Sequence, residues 1–255
     1  MRAITVTVKG SPPVVVSTGT RIGDLLPTVN SDGHPVLGAI ANNMVVPLFM
    51  PLMTDATLTP LTIQDPHGWN IYRTSLCFLL AKTAHTLYPD LECRVRNSVG
   101  AGLYCTVQWP DRSPAAIEAH IKRLKAAMQE TIRRDLPITP TTVSYEAATH
   151  LFRESGQTDK LHLLAHRNPP VVCLAQCGSF FELSQEPLVP RTGLLELFDL
   201  IPHNSGFVLN VPTSARPREL PPLPPHEYLF TVYHEHIEWG KIVGITTVGE
   251  LNQAV

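Results

Sequence analysis

Few side chains in this chain stand at spacings that could do chemistry. His162 and His166 lie four apart in Leu161-His-Leu-Leu-Ala-His166, so on a helix both imidazoles share one face at zinc-site spacing. No glutamate base adjoins them and no third ligand is evident, so solvent-facing histidines are the simpler reading. His234-Glu-His236 would set two imidazoles on one face of a strand, with Glu238 on that face too. An exposed polar strand face accounts for it as simply. Cys173 and Cys177 are four apart, which fits neither a Cys-x-x-Cys redox pair nor a zinc ribbon, and reads as buried free thiols. Lys122, Lys125 and Arg133 form a basic stripe, flanked by Arg123 and Arg134. Such a stripe can track RNA phosphates or serve as the solvated face of an amphipathic helix. No Ser/His/Asp or Cys/His arrangement follows from spacing. The phosphate-binding pattern Gly-x-x-x-x-Gly-Lys-Ser/Thr is missing, so no backbone cradle for ATP is encoded here.

Composition narrows the classes. The chain has 255 residues, enough for one large or two small domains, and is 44% hydrophobic and 16% charged, which builds a core and excludes a disordered chain. The net charge of -2 supplies no global field for nucleic acid, so any RNA contact needs a local patch. The five cysteines are odd in number and irregularly spaced, as expected for a reducing, cytoplasmic setting. The opening MRAITVTVKG alternates like a strand, without the apolar run of a signal peptide, and no apolar stretch is long enough to cross a bilayer.

The elements that would position these groups fall into four stretches. Residues 1–64 read as a β-grasp: alternating Ile4, Val6 and Val8, a turn at Gly10–Pro13, a strand from Val14 to Val16, and a short helix over Ile22–Leu26. Strands at Val36–Ile40, Val45–Leu48 and Thr57–Ile63 follow. Residues 68–211 read as a larger two-layer α+β domain. A helix from Tyr72 carries Leu76, Leu80, Thr83, Ala84 and Leu87 and ends before Pro89. Strands over Cys93–Arg96 and Leu103–Val107 precede a long helix with Ser113 as N-cap, Pro114 in its first turn, and Ile117, Ile121, Leu124, Met128 and Ile132 as its stripe. Helices over about 144–154 and 159–166 come next, then strands at 171–174, 179–183 and 206–210. Residues 212–225 are a Pro-rich, stiff segment, and 226–255 read as a strand and then a helix.

Residues 1–64 resemble the TGS domain of threonyl-tRNA synthetases, certain GTPases and stringent-response proteins. The opening hairpin, the Gly-Thr before the short helix and Ala39-Ile-Ala-Asn-Asn43 carry the likeness. The helix Arg73–Ala84 resembles one in the synthetase editing domain, where two histidines four apart bind zinc. Here those positions read Thr74 and Phe78. The second half-site, a cysteine and a histidine four apart, reads Ser184 and Leu188, followed by Val189-Pro-Arg-Thr-Gly193 and a helix-like Leu194–Phe198. The resemblance thus implies the editing frame without its metal: a hydroxyl, a phenyl ring and an isobutyl group are not zinc ligands.

That combination is similar to the front part of bacterial nucleoside kinases of the uridine-kinase type. The matching phrases are Tyr72-Arg-Thr-Ser75, Asn97–Cys105, Asp159-Lys160, Leu188–Gly193, Gly206-Phe-Val-Leu and Val248-Gly-Glu-Leu-Asn252; Asn97 departs from the family, where histidine is usual. The resemblance implies a non-catalytic region that binds a ligand or RNA and regulates a kinase domain beyond Val255. ATP and Mg would belong to that domain alone, and Val255 reads as a cut. A stand-alone module for the tRNA 3′ end is the alternative. A metal-free editing hydrolase relying on Ser98 and Tyr104 is a third. In this frame Tyr72, Arg73, Ser75, Asn97, Ser98 and Tyr104 would ring the former editing cleft and hold a nucleoside or a tRNA end, unless side chains fill it.

Overall fold

Alternation in Ala3–Val8 (β1) turns Ile4 and Val6 inward, and the strand pairs antiparallel with Val14–Ser17 (β2). The turn between them passes through Gly10 at φ 85°, a conformation that glycine adopts without strain. β1 also runs parallel to Ala56–Thr62 (β5). β5 lies antiparallel to Val36–Ala41 (β3), which is hairpinned to Met44–Val46 (β4) through Asn42 and Asn43, both at positive φ. The order β2-β1-β5-β3-β4 is a mixed β-grasp sheet. The computed structural model describes residues 2–222 except 168, 185, 204 and 205, together with Trp239 and Ile242. The expected strand and helix of 226–255, including His234, His236, Glu238 and the 248–252 phrase, otherwise lie outside the described residues. All the elements below belong to one unit, Met1–Pro221.

One face of the β-grasp sheet closes over a 3-10 turn, Ile22–Asp24, whose Ile22 is buried with Leu26 and Leu52. The helix expected over Ile22–Leu26 stops at this single turn because Pro27 disfavours helical geometry at the residue before it. The other face, with Leu37, Leu61 and Ile63, receives helix Pro66–Leu87 (α1). This helix starts six residues before Tyr72. Asp65 precedes it in extended conformation and Pro66 takes its first position. Gly68 is needed there, since a Cβ would collide with the Thr62 carbonyl. The buried residues of α1 point in many directions, so its start leaves no clear apolar stripe.

Helix Pro114–Arg133 (α2) matches expectation: Ser113 Oγ accepts from the Ala116 amide at 3.4 Å, and Ile117, Ile121, Leu124, Met128 and Ile132 are all buried. α1 and α2 back an antiparallel sheet of Asp199–His203 (β11), Gly206–Asn210 (β12), Gly102–Val107 (β7) and Cys93–Val99 (β6), in that order. A third sheet orders Phe180–Leu183 (β10), Val171–Cys177 (β9) and Thr139–Ser144 (β8). Helices Tyr145–Glu154 (α3) and Thr158–Arg167 (α4) cover it through Phe152 and Leu164 over Val172 and Leu174.

Two edge strands, β8 (TPTTVS) and β11 (DLIPH), escape sequence reading because neither alternates apolar and polar residues, and their prolines sit at the sheet edge, where a missing amide is tolerated. The helix expected over Leu194–Phe198 is not formed. A 3-10 turn, Thr192–Leu194, leads into irregular chain before β11, because tertiary bonds hold the turn. Thr192 Oγ1 donates to the Thr131 carbonyl at 2.9 Å and accepts from the Leu136 amide at 2.8 Å, and the Gly193 amide donates to Asp135 Oδ1 at 2.8 Å.

Candidate functional site

Helix α1 sets Thr74 and Phe78 one turn apart on one face, and the chain leaving β10 brings Ser184 and Leu188 opposite them. All four line a single pocket of about 390 Å³. The two pairs of residues expected to face each other, 110 positions apart in sequence, meet in this pocket. Their chemistry does not suit zinc. Phe78, 3% exposed, packs edge-on against Phe180 at 5.7 Å between centroids, and Leu188 is buried beside it. The Ser184 hydroxyl donates to the Glu186 carbonyl at 3.0 Å. Two hydroxyls, a phenyl and an isobutyl group supply no strong donor. Among the described residues, no group of three His, Cys, Asp or Glu side chains is placed to hold a metal ion.

The rest of the wall is chemically richer. Cys77 and Cys93 face the pocket, and burial pushes their thiols up to about 11 and about 12. Both stay protonated at neutral pH, poor nucleophiles and poor ligands. Lys160 pairs with Glu182 at 2.8 Å and Asp159 at 3.1 Å. Burial alone would lower the Lys160 ammonium, but the two carboxylates outweigh it and raise it. Burial raises the Glu182 carboxyl against the opposing pull of Lys160. Arg94 is held by Glu92 at 2.5 Å, and Arg96 donates from Nε to Thr106 Oγ1 at 3.2 Å. Ala81, Glu92, Cys93, Asp159, Lys160 and Glu182 also line an adjoining pocket of about 440 Å³, so the two make a continuous groove. Asp159-Lys160 was visible in the sequence as part of the resemblance. Glu182, Cys77, Arg94 and Arg96 carried no sequence signal, since their meeting depends on the packing of α1, β6 and β10.

None of the six residues expected to ring the cleft lines the pocket of Thr74. Tyr72, Ser75 and Tyr104 are core side chains. The Tyr72 hydroxyl donates to the Leu197 carbonyl at 3.1 Å and accepts from the Leu197 amide at 2.9 Å, and burial raises its phenol above the usual range. Ser75 bonds the Ile71 carbonyl and the Val189 amide. The helix explains the difference: Tyr72 and Ser75 point toward segment 189–197, whereas Thr74, Cys77 and Phe78 point into the pocket. Arg73, Asn97 and Ser98 sit nearer the surface. Arg73 Nη1 lies 3.5 Å from Ser98 Oγ, with its guanidinium 4.8 Å above the Trp69 ring. The basic stripe on α2 is mostly engaged: Lys125 pairs with Asp199 and Arg133 with Glu130, each at 2.6 Å, while Lys122 is exposed. His162 is exposed on α4. Of the other cysteines, Cys173 is exposed and Cys177 buried.

A β-grasp sheet followed by an α+β body with a pocket lined by Thr74, Phe78, Ser184 and Leu188 is the class that fold and site define. Comparison with known proteins agrees with that frame. No family model matches the chain. It is 31% identical over 188 residues to a threonine–tRNA ligase of Syntrophotalea carbinolica, covering 72% of this chain and 29% of that protein. The counterpart from Desulforamulus reducens is 26% identical over 200 residues, covering 78% and 31%, and that from Nitrosococcus oceani 31% over 166 residues, covering 64% and 25%. The chain spans about three-tenths of the length of these curated relatives. The likeness supports a TGS- and editing-like region of threonine–tRNA ligase type, and a link to nucleoside kinases is not shown by it. Among the described residues no helix is long and apolar enough to cross a membrane.

Proposed function

We propose that this chain binds the 3′ end of a tRNA in the pocket of Thr74, Phe78, Ser184 and Leu188, without zinc-dependent hydrolysis. The observation that supports this reading is that those four residues line one pocket; on the resemblance to the editing domain, their positions are those of its metal ligands. The relatives' name, threonine–tRNA ligase, supplies the ligand class. The chemistry suits it: Thr74 and Ser184 offer hydroxyls to a ribose or base edge, Phe78 and Leu188 an apolar floor, and Arg94 and Arg96 cations for the last phosphates. The regulatory role beside a nucleoside kinase rests on the resemblance alone; it would require the pocket to bind a free nucleoside such as uridine.

The test is fluorescence anisotropy with labelled tRNA, intact or lacking its 3′-terminal adenosine, and with uridine as competitor. Intact tRNA should bind, lose affinity steeply with salt, and weaken on truncation and in the Arg94→Gln/Arg96→Gln variant. Mischarged tRNA should keep its amino acid with or without added zinc. No binding at low salt ends this reading. Displacement by uridine would favour the kinase-linked role.

A further inference from the structure

A separate cavity of about 530 Å³ lies where the β-grasp sheet meets segment 193–197 and residues 217–218. Its volume falls in the range of small-molecule sites, and junctions of this kind are where such sites concentrate. Leu37 and Ile63 form its sheet wall, Leu194 and Leu197 the facing wall, and Pro217 a flank. The facing wall is fixed by the double hydrogen bond between Tyr72 and Leu197. The flank is strapped down where Arg218 Nη2 donates to the Asp32 carbonyl at 2.6 Å, with Trp69 Nε1 donating to the Pro212 carbonyl at 2.7 Å at the other end.

Besides Tyr72, whose hydroxyl is taken up by Leu197, three polar side chains interrupt this apolar lining. His34 is 7% exposed. Its amide donates to Asn30 Oδ1 and its carbonyl accepts from the Asn30 amide, yet its imidazole has no hydrogen-bond partner among the described residues. The ring stands in the cavity wall, where its nitrogens are open to a bound polar group. Glu196 and Arg218, at the rim, have no ion-pair partner among the described residues. One anion and one cation at the mouth of an apolar cavity match a ligand with both charges: Arg218 takes a carboxylate and Glu196 an ammonium. A phosphorylated ligand would bring excess negative charge past Glu196.

We infer that this cavity binds a free α-amino acid with a large apolar or aromatic side chain, its body on Leu37 and Ile63 and its polar end among His34, Glu196 and Arg218. The site is independent of the tRNA-end pocket.

The experiment is isothermal titration of the full chain with L-leucine, L-phenylalanine and L-tryptophan. N-acetyl-L-phenylalanine and phenethylamine, each lacking one charge, and uridine serve as controls. At least one amino acid should bind while its one-charge analogues bind at least tenfold more weakly. Arg218→Gln and Glu196→Gln, both at exposed positions, should each weaken binding about tenfold, and Leu194→Trp should abolish it by filling the cavity. All three variants should bind tRNA as before. Absence of binding at millimolar amino acid, equal binding of phenethylamine, preference for uridine, or insensitivity to the rim variants would each overturn the assignment.

Discussion

The Ser75 hydroxyl clamps helix α1 to segment 189–197, accepting from the buried Val189 amide at 2.9 Å while donating to the Ile71 carbonyl at 2.7 Å. Both residues are fully buried, so no water can replace either bond. Ser75→Ala leaves the Val189 amide without a partner and is expected to cost about 2 kcal/mol. Urea unfolding should show the midpoint falling with an unchanged slope.

Lys160 and Glu182 form the pocket's partly buried ion pair, and removing one side strands the other. Lys160→Met is expected to cost about 3 kcal/mol, and Lys160→Met with Glu182→Leu to recover most of it. The pH dependence follows from the directions of the two shifts. The folded Lys160 holds its proton above the ordinary 10.5, so its contribution is complete below that pH and fades as pH rises through the folded value. Folded Glu182 also holds its proton above the ordinary 4.5, so stability declines as pH rises from there through its raised value. Thermal melts of wild type and the double variant across pH 4 to 11 would show both slopes, and identical profiles would refute the assignment.

Thiol chemistry should sort by burial. Cys173 is exposed, whereas Cys105 and Cys177 are buried and burial raises the thiols of Cys77, Cys93, Cys105 and Cys177. Brief treatment with iodoacetamide at pH 7.5 is expected to alkylate Cys173 first and leave the other four until denaturant is added. Peptide mass mapping reads the order directly.

The ion pairs on α2 predict which cations matter for RNA. Lys125→Ala should lower stability by up to about 1 kcal/mol through loss of Asp199, with little change in tRNA affinity. Arg94→Gln/Arg96→Gln should do the reverse. A larger loss of tRNA binding from the Lys122, Lys125 and Arg133 substitutions than from the pocket pair would move the RNA surface to α2.

Helix α2 was legible from its Ser113 cap, Pro114 and apolar stripe, and Ser113 does accept the amide three residues on; the Ser144 cap of α3, which accepts from the Ala147 amide, was not singled out in the sequence. The β-grasp was legible from alternation and from the turns at Gly10 and Asn42-Asn43. What could not be read was orientation. Tyr72, Thr74 and Ser75 are neighbours in sequence, yet on a helix buried on several sides each faces a different partner, and only packing says which faces the pocket. The convergence of Thr74 and Phe78 with Ser184 and Leu188 was legible as a resemblance. Arg94, Arg96 and Glu182 were not, because long-range contacts create their proximity.

Phe78 has a consequence beyond the missing ligand. It is part of the core, wedged against Phe180 and almost wholly out of water. A lone Phe78→His change would sacrifice that contact, at about 3 kcal/mol, before the other three positions could bind anything. A metal site engineered onto these four positions would meet that penalty first. The pocket is therefore far more open to new side chains at Thr74 and Ser184, which lie at its partly exposed wall, than at Phe78, whose ring also holds the fold together.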